Sequence, residues 1–121
     1  MRKLVFVAFL VIGVLVLGAS EVQAQACYDR GPTSGTMWRW YNLTPGYWYT
    51  VTVTNLSSTG YVYLEVWDYC WRDIFGTWWC SGLVRKEGPW TGWAWISFQA
   101  RDSEYFVWVV APRNWYRICF R

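Results

Sequence analysis

Beyond residue 26, apolar and polar side chains alternate with a period of two, which predicts strands rather than helices. The stretch 47–54 puts Tyr47, Tyr49, Val51 and Val53 on one face and Trp48, Thr50, Thr52 and Thr54 on the other. After a turn-rich segment, 55–60, a second strand, 61–67, sets Val62, Leu64 and Val66 opposite Tyr61, Tyr63, Glu65 and Trp67. The short turn between them predicts an antiparallel pair. In 93–100, Ala94, Ile96, Phe98 and Ala100 oppose Trp93, Trp95, Ser97 and Gln99. The run 105–110 is nearly all apolar, as in a strand covered on both faces. In 115–121, Tyr116, Ile118 and Phe120 point inward and Arg117, Cys119 and Arg121 outward; 37–41 is a shorter early strand. Between Trp67 and Trp93 the alternation lapses into a long excursion, with room for a small hairpin across Cys70 and Cys80. Six or seven strands separated by turns predict a two-sheet sandwich.

The first 26 residues follow another pattern. Arg2 and Lys3 precede an apolar run, 4–19, and Ala24-Gln25-Ala26 supplies the small residues a signal peptidase accepts. The expected organisation is a secretory signal helix over 1–26, with an uncleaved anchor as the alternative, and one domain over 27–121. Without the leader, nine basic residues face seven acids and form no stripe, which argues against nucleic acid as a partner. No stable membrane span is expected in the mature form.

Four cysteines in an exported chain imply two disulfides, and three connectivities are open. The favoured pairing is Cys70 with Cys80, as a local staple, and Cys27 with Cys119, tying the termini. Wide spacing and the absence of histidine argue against zinc.

The segment 43–53, opening Leu43-Thr44-Pro45-Gly46 before an alternating strand, resembles the start of the bacterial pre-peptidase C-terminal domain family. In the same order, 63–68 is similar to the family's second strand with its terminal aspartate, 96–100 to the strand before the last hairpin, and 105–109 and 116–118 to the closing strands. The resemblance spans roughly residues 37–121. It implies a jelly-roll-like β-sandwich, six to eight antiparallel strands, and a non-catalytic extracellular accessory role. Some members bind polysaccharide or fibrous protein, and some bind calcium through clustered acids. Asp68 and Asp73 are the nearest equivalents, short of the six to eight oxygens a hard cation takes, so neither metal nor cofactor is expected.

Twelve tryptophans and no histidine complete the picture. The missing imidazole removes the usual proton-transfer group, and the acids (Glu65, Asp68, Asp73, Glu87, Asp102, Glu104) form no obvious catalytic pair, so no enzyme is expected. The alternation instead predicts an outward aromatic platform of Trp48, Tyr61, Tyr63, Trp67, Trp93 and Trp95, with Glu65 and Gln99 beside it for hydrogen bonding. Such a surface suits a secreted subunit that self-assembles into oligomers or filaments. Alternatives are a lectin-like domain binding extracellular polysaccharide, and a small secreted inhibitor or toxin presenting the Cys70–Cys80 loop. Against all of these stands a purely structural role, with the segment 70–90 lying over the aromatics. Sequons at Asn42 and Asn55 are candidate glycosylation sites.

Overall fold

A computed structural model describes residues 20–22 and 25–121. The expected signal helix lies outside the described residues apart from its last few positions. Among the described residues, no helix is long and apolar enough to cross a membrane. The strands are β1 (Ser20–Val22), β2 (Ala26–Arg30), β3 (Thr33–Trp40), β4 (Trp48–Asn55), β5 (Val62–Arg72), β6 (Trp78–Trp90), β7 (Trp93–Gln99), β8 (Tyr105–Ala111) and β9 (Tyr116–Phe120). They form a sandwich with a first sheet ordered β1-β3-β8-β5-β6 and a second ordered β2-β9-β4-β7. Every pairing is antiparallel except β1 with β3.

The alternation sets which side chains meet between the sheets. Val51 and Val53 from β4, Ala94, Ile96 and Phe98 from β7, and Tyr116, Ile118 and Phe120 from β9 pack against Trp38, Trp40, Val62, Leu64, Val66, Tyr105, Val107 and Val109 of the first sheet. Trp40 anchors this layer, meeting Tyr49, Phe98 and Phe120 edge-on at centroid distances of 5.4, 6.0 and 5.0 Å. As expected of a strand covered on both sides, β8 is buried from Tyr105 to Val109.

Two expectations are corrected. β4 does not pair with β5: it lies between β7 and β9, while β5 lies between β6 and β8 in the other sheet. The turn 55–60 therefore crosses between sheets. The reason is non-local: both edges of β4 are taken by strands distant in sequence, β7 over Trp48–Thr54 and β9 over Val51–Asn55. The excursion after Trp67 is also more regular than its pattern suggests. β5 runs on to Arg72, and the thirteen-residue β6 pairs with it through two register shifts. Those shifts break the period of two, which hides β6 from a pattern reading.

The shifts also bend the hairpin. Tyr69 adopts a left-handed φ of 54°. Gly82, the register partner of the preceding Asp68, lies so close to it that a Cβ would sit 1.8 Å from Oδ1. Beyond this bend, the end of the β5–β6 hairpin folds over the outer face of the first sheet. There Trp78, Trp79, Cys80 and Leu83 close a second small core with Met37, Trp67, Phe106 and Trp108. The Trp78 and Phe106 rings are 4.6 Å apart. Both disulfides have the favoured pairing, and each links directly opposed residues of neighbouring strands: Cys27–Cys119 across β2 and β9, Cys70–Cys80 across β5 and β6.

Candidate functional site

The expected platform divides between two surfaces, because its residues come from different sheets. On the second sheet, the outward set of β4 and β7 stays bare: Trp48 is 68%, Trp93 59% and Trp95 53% exposed. Register places Trp48 opposite Gln99, Thr50 opposite Ser97, Thr52 opposite Trp95 and Thr54 opposite Trp93. The face is thus a row of indole rings set among hydroxyl and amide groups. The Thr50 and Ser97 hydroxyls bond to each other at 2.7 Å. The Gln99 amide donates to the Gly46 carbonyl at 2.9 Å, which steadies the turn before Trp48.

On the first sheet the outward set is covered. Trp67 is fully buried beneath the folded-over hairpin, and its indole N–H donates to Glu65 Oε1 at 2.7 Å. The Tyr63 hydroxyl donates to the other oxygen of the same carboxylate. Glu65 is buried with both oxygens engaged, so Tyr63, Glu65 and Trp67 form an internal polar clasp instead of a ligand surface. Tyr61 is exposed but lies elsewhere, beside Thr59, Gly60, Pro112 and Arg113 at one end of the sandwich.

Where the edges of the two sheets approach, β6 adds residues the alternation could not reveal. Trp48, Trp95 and Ser97 from the second sheet and Arg85 and Glu87 from the first line a shallow groove of about 330 Å³. Arg85 and Glu87 face each other at 3.5 Å, and the Trp90 indole N–H reaches Glu87 at 3.4 Å. The groove combines two aromatic walls with one guanidinium, one carboxylate and one hydroxyl. No sequence signal pointed to Arg85 or Glu87, since they sit in the segment where the period is broken.

The other acids whose side chains are described have structural partners. Asp29 makes two bonds with Arg117, 2.7 and 3.0 Å, and this hydrogen bonding holds its carboxyl below the usual range. Glu104 pairs with Arg39. Asp68 is buried against Arg101 at 3.1 Å, and burial pushes its pKa up despite that cation. Asp73 caps the β5–β6 turn, accepting from the Trp79 indole N–H and the Phe75 and Thr77 amides at 2.8, 2.8 and 2.9 Å; its pKa falls, the Trp79 bond contributing most. Among the described residues, no three potential metal ligands cluster. Of the sequons, Asn42 is exposed in a left-handed turn. Asn55 is internally committed: its amide nitrogen donates to the Thr59 and Thr91 carbonyls at 3.0 and 2.9 Å, and its oxygen accepts from Ser57 and Asn114.

No protein-family model and no curated sequence matches the chain. Among solved structures, it is similar to the pre-peptidase C-terminal domain of the collagenase from Bacillus anthracis, with a TM-score of 0.64 and 9% identity over 85% of this chain and 94% of that one. Weaker likenesses are to PliG, a periplasmic inhibitor of g-type lysozyme from Aeromonas hydrophila (TM-score 0.47, 11% identity, 85% and 97% covered), and to the Yersinia pseudotuberculosis-derived mitogen (TM-score 0.49, 10% identity, 82% and 86% covered). The first likeness shows that the fold is of the pre-peptidase C-terminal kind, and at that identity it shows the fold alone.

Proposed function

We propose that this protein is a secreted, non-catalytic binding module, and that the groove between Trp48 and Trp95 recognises extracellular polysaccharide. The observation that carries the reading is the exposure of Trp48, Trp93 and Trp95 on one sheet face, two of them walls of a groove that also holds polar groups. Sugar rings present apolar C–H faces to an indole and hydroxyls at the rim. Arg85, Glu87 and Ser97 offer donors and acceptors at that rim. The volume is at the lower end for small-molecule sites, which suits a short stretch of a longer chain. Two disulfides support maturation in an oxidising compartment. The non-catalytic reading is supported by the absence of histidine and by the structural partners of Asp29, Glu65, Asp68, Asp73 and Glu104.

The test is affinity electrophoresis through gels containing a β-1,4-glucan, a β-1,3-glucan, xylan, mannan or chitosan. At least one should retard the protein, with Trp48→Ala and Trp95→Ala each weakening the interaction about tenfold. Trp115→Ala, which removes an exposed indole outside the groove, should leave it unchanged. Lack of retardation in the whole panel, or equal loss in all three variants, would reject the polysaccharide reading. The second reading, self-association through this face, is favoured by the position of Trp93 and Trp95 on β7, which ends its sheet. It predicts a particle mass that grows with concentration and reverts to the monomer in Trp95→Ala.

A further inference from the structure

The turn joining β5 and β6 carries Ile74 and Phe75, 92% and 84% exposed, the most exposed of the large apolar side chains. This turn is built rather than loose. Asp73 holds the Phe75 and Thr77 amides, Gly76 takes a φ of +83°, and the Gly76 amide donates back to the Asp73 carbonyl at 3.0 Å. Cys70–Cys80 closes the hairpin just behind it. The two charges at the tip are already engaged: Asp73 by its three donors, and Arg72 by the Gly76 carbonyl at 3.3 Å and the Trp78 ring face at 5.3 Å. An ordered apolar knob with no unpaired charge loses little conformational freedom when it docks.

The opposite end of the same strand carries a hole. Thr59, Gly60 and Tyr61, just before β5, and Pro112 and Arg113, just after β8, line a recess of about 220 Å³. β5 has eleven residues, so knob and hole are separated by about 36 Å along its contour. The recess offers a tyrosine ring and a proline to an apolar side chain, and the Arg113 cation to the Phe75 ring face.

We infer that copies of this chain associate head to tail, the Ile74–Phe75 tip of one entering the Tyr61–Pro112–Arg113 recess of the next. Knob and hole are different surfaces of the chain, formed at the two ends of β5, so the contact is heterologous. Each added copy presents a fresh tip, and growth stays open unless the rotation between neighbours closes a ring. This contact uses none of the residues of the Trp48–Trp95 groove and stands or falls apart from the polysaccharide reading.

Sedimentation velocity of the secreted protein, with its disulfides intact, up to about 100 μM is the test. The weight-average mass should rise steadily with concentration. An Ile74→Ser/Phe75→Ser variant and an Arg113→Glu variant should each sediment as monomers at every concentration, with circular dichroism unchanged. Mixed in equal amounts, they should form a one-to-one dimer and nothing larger, because one intact tip meets one intact recess. A wild-type protein that stays monomeric over the whole range overturns the inference. So does assembly that survives both tip substitutions, or a mixture that forms no dimer. Cosedimentation of monomeric wild-type protein with phosphatidylcholine or phosphatidylglycerol vesicles, lost on the tip substitutions, would also overturn it by assigning the tip to lipid.

Discussion

Two tryptophans from equivalent outward positions meet opposite fates. Trp67 and Trp95 each alternate with core residues, yet Trp67 is sealed under the β5–β6 hairpin and Trp95 stands in solvent. Trp67→Ala should cost about 3–5 kcal/mol in denaturant unfolding, since it opens a cavity and leaves Glu65 short of a donor. Trp95→Ala should change stability by no more than about 0.5 kcal/mol. Asp68 gives a prediction with a sign. Burial raises its folded pKa, so its contribution to stability is fully present below the ordinary carboxylate range and is lost as pH rises through the folded value. Asp68→Asn should therefore gain on the wild type in melting temperature between about pH 3 and pH 7. Arg101→Ala does the reverse. It leaves a buried carboxylate without its cation, costs about 1–3 kcal/mol at neutral pH, and recovers in acid.

At the scale of elements, the two disulfides act on different parts of the molecule. Cys27–Cys119 joins β2 to β9 and spans 92 residues of sequence. Removing it by a double Ser substitution should lower unfolding free energy by about 4–5 kcal/mol on the chain-entropy account. Cys70–Cys80 closes a ten-residue separation. Its loss should cost about 3 kcal/mol and loosen the folded-over hairpin first, seen as early amide exchange in β6 while β4 and β9 stay protected. The alternation was enough to locate β4, β7 and β9 and their inward faces, because one face of each is buried and a slip of one residue would expose it, while β8 was legible as a continuous apolar run. It was not enough for β6. There the two register shifts and the bend at Tyr69 are forced by pairing with β5 and by the second small core, contacts that no local window contains.

For the whole molecule, the groove and the pair of tip and recess predict separable behaviour. Phe75→Ser should abolish growth of the particle and leave polysaccharide retardation unchanged, while Trp48→Ala should do the opposite; loss of both properties in one variant would show that the surfaces are not independent.

By itself, the chain's order of side chains determined that it would form strands, which residues of most strands would meet in the interior, and that no histidine chemistry was available. Period-two patterning carries that much because it relates the two faces of a strand to each other within a few residues. It does not say what lies over the outward face. Only the tertiary structure decided that the hairpin would close over Trp67 and Glu65 and leave Trp48, Trp93 and Trp95 uncovered. Coverage depends on where a distant segment bends, and that bend is set by sheet pairing and packing across the whole sandwich.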